Sequence, residues 1–415
     1  MLPQLGRYVS LMNLPQSVRM RLVAVVCLSA LAAAGFAQGQ EFEDNAGSGA
    51  APNQSRRAVR ASDPAFRYQG RFDLSDPAAP VVVWESSRIL VDFTGKSLVL
   101  LFGKATDQNF FDAQVDGESR VVAVAAGVQA AVVWPGQLGA GLHRLVLTKR
   151  SEASAGSVAF RGIEVGCDAA VENPVAGRAA FKMLFFGDSI TAGACDEDGN
   201  VDQWDSRRTH NANMSYAALT ADAFGADFEN ISVSGIGVVT GYVDVTFEEI
   251  WDRLYPVRGS PRADLTAWRP DVIFINLGGN DTAYPKSRGK PFPLTFADRY
   301  FKAVSEVRSA YPDAEIVMLR GGMSETETDP VLIAAWTDAV RRFEAHDRRS
   351  THFVFVHHTD LHPRVADHRL MAAELCRWLS GQAFMPTRKA ADLGTRPATD
   401  ASVERTAGVR RQSES

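Results

Sequence analysis

With 415 residues, the chain exceeds one average domain of ~100–200 residues and predicts two. Its 46% apolar content excludes wholesale disorder, and 44 basic against 49 acidic residues, a net charge of -5, exclude a general electrostatic pull toward nucleic acid. No Gly-X-Y period, heptad array or solenoid-length repeat is present, which leaves a two-domain globular protein with tails.

In chain order, residues 1–37 read as a secretory signal peptide. Arg19 and Arg21 precede an apolar run over 22–34, and Gly35-Phe36-Ala37 supplies small residues for cleavage. That run is shorter than the ~20 residues needed to span a bilayer, so a secreted or periplasmic protein with no membrane span after cleavage is expected. Residues 38–64, rich in Gly, Ala, Ser, Asn and Asp, read as a flexible leader. From 65 to 166, short strand-like segments at 81–84, 89–93, 97–101, 110–115, 120–125, 142–148 and 158–165 alternate with turn signals such as Asp116-Gly117, which predicts a β-sandwich. Residues 167–180 form a linker. From 181 to 384, apolar strands at 183–186, 228–233, 272–277, 315–319 and 353–356 alternate with helical patterns at 216–224, 297–310, 330–345 and 366–379. That rhythm predicts an α/β fold, a doubly wound parallel sheet, with its ligand site at the carboxyl ends of the strands. Residues 385–415 lack apolar periodicity and read as a disordered tail.

The chemistry-bearing residues cluster at those strand ends. The first strand runs into Gly187-Asp188-Ser189, where a tight strand-to-helix turn exposes a serine hydroxyl beside helix-terminal amides. The second ends near Gly235, the third at Gly278-Gly279-Asn280-Asp281, and the last at Asp360-Leu361-His362. Gly-Asp-Ser alone is a weak signal, because a capped turn gives the same tripeptide. Four such ends converge on one crevice, so Ser189 and His362 can meet although they are far apart in sequence. Serine needs a base to take its proton, and histidine titrates near neutrality.

Competing candidates are His357, His358 and His368 as bases, and Asp188 with Asp281 as a carboxylate pair of the glycosidase kind, while His210 lies in a polar loop and is assigned no role. Local hydrogen bonding is the alternative for that pair, and packing for His368. The acidic run 196–200 lacks the closing Glu of an EF-hand and reads as a solvated turn. Trp204, Trp84 and Trp134 are candidates for stacking on a sugar ring or for filling cores. Cys167, Cys195 and Cys376 allow at most one disulfide, with Cys376 reading as a buried thiol in a helix.

Gly187-Asp188-Ser189, Gly235, Gly278-x-Asn280-Asp281 and Asp360-x-His362 resemble the four blocks of the SGNH (GDSL-type) hydrolases, over roughly residues 181–382. The upstream segments at 66–73, 107–117 and 141–150 resemble the N-terminal jelly roll of carbohydrate esterase family two, an acetyl xylan esterase-like family joining a β-sandwich to an SGNH domain. The resemblance implies a flavodoxin-like three-layer domain after a jelly roll. It implies a serine esterase that removes acetyl groups from polysaccharides such as xylan and glucomannan; acyl transfer through a serine needs no metal or organic cofactor, and a monomer is expected. Position by position, Ser189 is the implied nucleophile, His362 the base and Asp360 its orienting acid. The Ser189 amide, the Gly235 amide and the Asn280 side chain form the implied oxyanion hole. General SGNH enzymes read Asp-x-x-His, and the shorter Asp360-Leu361-His362 leaves open whether Asp360 or a backbone carbonyl orients the imidazole. A lipid or aryl ester hydrolase on the same scaffold, and a non-catalytic carbohydrate-binding protein, are the alternative functions. The sandwich itself either binds sugar or packs against the second domain.

Overall fold

The computed structural model describes residues 55–174 and 181–386. The expected signal peptide, the expected tail apart from Met385 and Pro386, and parts of the expected leader and linker lie outside the described residues; Met385 is buried with Leu375 and Leu379 of the second domain. Two antiparallel sheets form the first domain. One contains β1 (Arg56–Arg60), β3 (Phe72–Asp73), β4 (Val81–Val82), β6 (Ser97–Ala105), β9 (Ala130–Pro135) and β11 (Val158–Gly166). The other contains β2 (Arg67–Gln69), β5 (Arg88–Thr94), β7 (Gln108–Val115), β8 (Glu118–Ala125), β10 (Leu142–Lys149) and β12 (Val171–Glu172). Alternate residues of each strand point inward: Phe111, Ala113 and Val115 of β7 meet Leu98, Leu100, Phe160 and Ile163 of the facing sheet in one buried core. The β7–β8 hairpin turns on Asp116 and Gly117, both at positive φ (52° and 90°), as a two-residue loop matched to strand twist requires.

The sandwich starts earlier and ends later than its sequence pattern suggests. The expected leader ends in β1, which pairs residue by residue with β11 from Arg56↔Gly166 to Arg60↔Gly162. Only Val59 of this arginine-rich strand is buried, so no apolar alternation marks it. Gly162 makes the approach possible: its φ is +121°, and a Cβ there would lie 1.9 Å from the Val59 carbonyl oxygen. Within the expected linker, β12 pairs with Phe93 and Asp92 of β5.

The second domain is a five-stranded parallel sheet of β13 (Lys182–Gly187), β14 (Asp227–Ser232), β15 (Val272–Asn276), β16 (Glu315–Met323) and β17 (Ser350–Thr359), in the spatial order β14-β13-β15-β16-β17. Its helices are α1 (Ser189–Ala192), α2 (Tyr216–Ala223), α3 (Phe247–Ile250), α4 (Gly279–Ser287), α5 (Phe296–Ala310), α6 (Ser324–Thr328), α7 (Pro330–Glu344) and α8 (Val365–Leu379). Strands buried on both faces explain the continuous apolar runs. Leu184 and Phe186 pack with Tyr300 and Val304 of α5 and Trp336 of α7, whereas Met183 and Phe185 pack with Tyr216 of α2 and Leu375 of α8. This is the expected three-layer, doubly wound arrangement. The chain order second-first-third places a switch point between β13 and β15, where the fold opens a crevice.

Candidate active site

Asp188 caps α1, its Oδ1 accepting from the Ile190 amide at 3.1 Å, and so fixes the turn that delivers Ser189. Burial pushes the Asp188 carboxyl up to about 7. His362, in the bend between β17 and α8, places Nε2 2.8 Å from Ser189 Oγ. Its Nδ1 meets Asp202 Oδ2 at 2.7 Å. Asp202 comes from the loop between α1 and α2, and its other oxygen accepts from Arg364 Nη1 at 2.8 Å. Partial burial works against the Asp202 carboxylate, yet the hydrogen bonds from His362 and Arg364 outweigh it and hold its pKa at about 2. Arg364 also braces the loop through the Cys195 carbonyl at 2.8 Å and the Gly199 carbonyl at 2.9 Å.

Asp360 is not brought to His362. The chain bends after β17, and the exposed Asp360 carboxylate accepts instead from Ser324 Oγ at 2.6 Å, at the start of α6. The group facing Nδ1 is the Asp202 side chain, so neither Asp360 nor a backbone carbonyl holds that position. Sequence reasoning missed Asp202, because it lies in an acid-rich loop without periodicity or motif. The other histidines are engaged elsewhere: His357 Nε2 with Asp367 at 2.8 Å, His358 Nδ1 with Ser324 at 3.2 Å, and His210 Nε2 with the Cys195 thiol at 3.5 Å. His368 is buried, its Nδ1 accepting from the Tyr216 amide at 3.2 Å.

Asp281 accepts from the amides of Val238, Val239 and Thr240 at 2.8, 2.7 and 3.0 Å, which ties down the loop after β14. Asp188 and Asp281 are therefore loop-fixing carboxylates rather than a glycosidase pair. Gly235 in that loop has φ +82°, and a Cβ there would sit 3.0 Å from Tyr242 Cβ. Its amide has no hydrogen-bond partner among the described residues. Asn280, at the start of α4, directs Nδ2 to the Ile236 carbonyl at 2.9 Å and, more weakly, to Asp188 Oδ2 at 3.3 Å. Ser189, Gly235, Asn280 and His362 thus line one cleft of about 610 Å³.

Trp204 borders that cleft at 38% exposure, its ring edge-on to His362 with centroids 4.8 Å apart. Trp84 and Trp134 are fully buried and fill cores. The sandwich reaches the cleft through Ser154. Cys167, Cys195 and Cys376 form no disulfide among the described residues, Cys376 is half-buried rather than buried, and burial pushes the Cys195 thiol pKa up. Cys195, Asp202 and His362 bring three metal-ligand atoms within 4.8 Å of one another. An ion there would have to break the bond between Asp202 and His362. With a hydroxyl, an imidazole and a carboxylate in series, and Gly235 and Asn280 lining the same cleft, the site can perform acyl transfer.

The profile described as Carbohydrate esterase 2 N-terminal matches residues 68–174, and that of the GDSL-like Lipase/Acylhydrolase family matches residues 185–377. Over 330 residues, 75% of this chain, the sequence is 32% identical to the cellulase/esterase CelE of Acetivibrio thermocellus, of which it spans only 39%. It is 29% identical over 265 residues to an acetylxylan esterase/glucomannan deacetylase of Cellvibrio japonicus, covering 61% of this chain and 72% of that protein. The structure of a family two carbohydrate esterase from Clostridium thermocellum, in complex with cellohexaose, superposes with a TM-score of 0.67 at 30% identity, covering 76% of this chain and 98% of that one. Sandwich, parallel sheet and strand-end residues together place this chain in carbohydrate esterase family two, with an SGNH-type hydrolase domain.

Proposed function

We propose that this chain is a serine esterase that removes O-acetyl groups from carbohydrate, a hemicellulose such as xylan or glucomannan, through an acyl-enzyme on Ser189. The observation that carries this reading is the hydrogen-bonded series Ser189–His362–Asp202, at 2.8 and 2.7 Å. His362 Nε2 takes the hydroxyl proton as Ser189 Oγ bonds to the acetyl carbon, and Asp202 stabilises the imidazolium that forms. The amides of Ser189 and Gly235 and the Asn280 side chain receive the developing oxyanion. One such donor is worth roughly 3 kcal/mol, or ~10²–10³ in turnover. His362 then protonates the sugar oxygen as its bond to the acetyl carbon breaks. Water, deprotonated by the same imidazole, attacks the acyl carbon, and as its bond to Ser189 Oγ breaks His362 returns the proton to that oxygen and acetate leaves.

Trp204 offers an exposed indole beside His362, suited to packing on a pyranose face. The deacetylase relative and the cellohexaose-bound neighbour support a polysaccharide substrate. The charged and apolar segments of residues 1–37 support export to the periplasm or medium.

Acetate release from acetylated xylan and acetylated glucomannan, measured beside hydrolysis of an octanoate ester, tests the substrate class. The carbohydrate esters are expected to be preferred. Ser189→Ala is expected to abolish release with an unchanged circular dichroism spectrum. A preference for octanoate would move the protein to the lipid esterases, and full activity in Ser189→Ala would overturn the acyl-enzyme.

A further inference from the structure

Glu152 belongs to the sandwich, in the segment that follows β10, and is 0% exposed. A buried carboxylate is costly unless both oxygens are satisfied. Here both partners come from the other domain. Oε2 accepts from the Ser234 amide at 2.8 Å, and Oε1 accepts from Arg207 Nη1 at 3.0 Å. Ser234 immediately precedes Gly235, whose amide has no hydrogen-bond partner among the described residues, and both residues line the cleft. Arg207 lines it too, with its guanidinium 5.8 Å from the centroid of the Trp204 ring that borders His362.

The Glu152 segment is itself anchored. Lys149 Nζ donates to the Ser151 and Glu152 carbonyls at 2.7 and 2.9 Å. Glu85 accepts from the Ala153 amide at 3.0 Å and from the Ser232 amide at 2.9 Å, joining this segment to the end of β14. One sandwich carboxylate on a fixed base thus holds two walls of the cleft, the loop bearing Gly235 and the loop bearing Trp204.

We propose that Glu152 is a positioning residue of the esterase, aiming the Gly235 amide at the oxyanion through Ser234 while holding Arg207 against Trp204. The proposal rests on the acyl-enzyme reading above. Glu152→Gln tests it by preserving volume. The amide has one acceptor oxygen for two donors, so its NH₂ must face either the Ser234 amide or Arg207, and one wall must move. An oxyanion donor acts in the transition state and little in the ground state. With p-nitrophenyl acetate, kcat is expected to fall about 10- to 100-fold while KM stays within about twofold. Affinity for a boronic acid, which forms a tetrahedral anionic adduct on Ser189, is expected to fall in parallel. A purely structural role would lower Tm and leave kcat and boronate affinity of the folded protein unchanged, and that result overturns the proposal. If Glu152→Gln does not fold, Glu152→Asp, which keeps the charge but is too short to span both partners, is measured in the same way. Failure of both to fold makes Glu152 a folding residue and also overturns the proposal. A wild-type protein without acetyl esterase activity would defeat the underlying reading, whereas an active wild type with an equally active Glu152→Gln defeats this inference alone.

Discussion

Asp202 and Asp360 carry the same functional group near the same histidine, and only their hydrogen bonds separate them. Asp202 spans His362 Nδ1 and Arg364, while Asp360 caps the Ser324 hydroxyl in solvent. Losing the first removes the acceptor that fixes the imidazole tautomer, an effect of up to ~10⁴ in turnover. Asp202→Asn is therefore expected to lower kcat/KM by roughly 10²- to 10⁴-fold, and Asp360→Asn by less than about threefold, since it loses one exposed hydrogen bond. Initial rates with p-nitrophenyl acetate measure both, and equal losses would contradict the assignment of Asp202. The same carboxyl links stability to pH. Its folded pKa of about 2 lies below the ordinary Asp value near 3.9. Its stabilisation is thus complete above the ordinary value and fades as pH falls toward about 2. The Tm difference between wild type and Asp202→Asn should shrink over that interval.

His368 shows the opposite linkage where α8 packs on α2. Its ring stacks on Tyr216, and burial lowers its pKa to about 3. The unfolded chain takes up a proton near pH 6.5 that the folded chain refuses. The stability gained from a neutral His368 is thus present above about 6.5 and is lost progressively as pH falls toward 3. His368→Asn should lower Tm at neutral pH, through the packing it removes, but should flatten the fall in Tm between about pH 7 and 4. Thermal melts across that range decide it, and parallel curves would refute it. Elements like α8 were legible in the sequence because one apolar stripe buries one helix face, and β13 and β15 because both of their faces are covered. Edge strands such as β1 and β12 were not. β1 buries a single valine. β16 and β17 extend beyond their apolar runs because Gly321 and Gly322, at φ +127° and +102°, carry a register shift at Arg320 that lets the ladder resume. Ser189, Gly235, Asn280 and His362 were legible for a topological reason, since parallel strands deliver their ends to one edge. Asp202 reaches the site on an irregular loop, whose path depends on Arg364 and the carbonyls it grips, and no local pattern encodes such a path.

The two domains share a core rather than a flexible joint. Val83, Trp84 and Ala153 of the sandwich belong to the same buried cluster as Phe186, Ile231, Trp251 and Ile275. Trp84 donates Nε1 to the Leu254 carbonyl at 3.0 Å, and Arg71 lies against its ring while donating to the Trp251 carbonyl at 2.7 Å. A second seam joins Asp112 to Arg150 and Asn213, and Arg150 onward to Glu197. Domains tied by buried aromatic and charged groups lose those contacts together, so unfolding one exposes apolar surface on the other. Calorimetry of the wild type is accordingly expected to show one cooperative transition. Trp84→Ala removes a fully buried indole and leaves the Leu254 carbonyl without its donor, at a cost of about 3–5 kcal/mol. The urea midpoint should fall by a matching amount, and the sandwich, whose own core contains no part of Trp84, should begin to melt separately from the parallel sheet. Two well-resolved transitions in the wild type, or a Trp84→Ala variant within about 1 kcal/mol of it, would show that the domains are energetically independent. A cleft wall borrowed from the sandwich through Glu152 could not then be held in register during turnover.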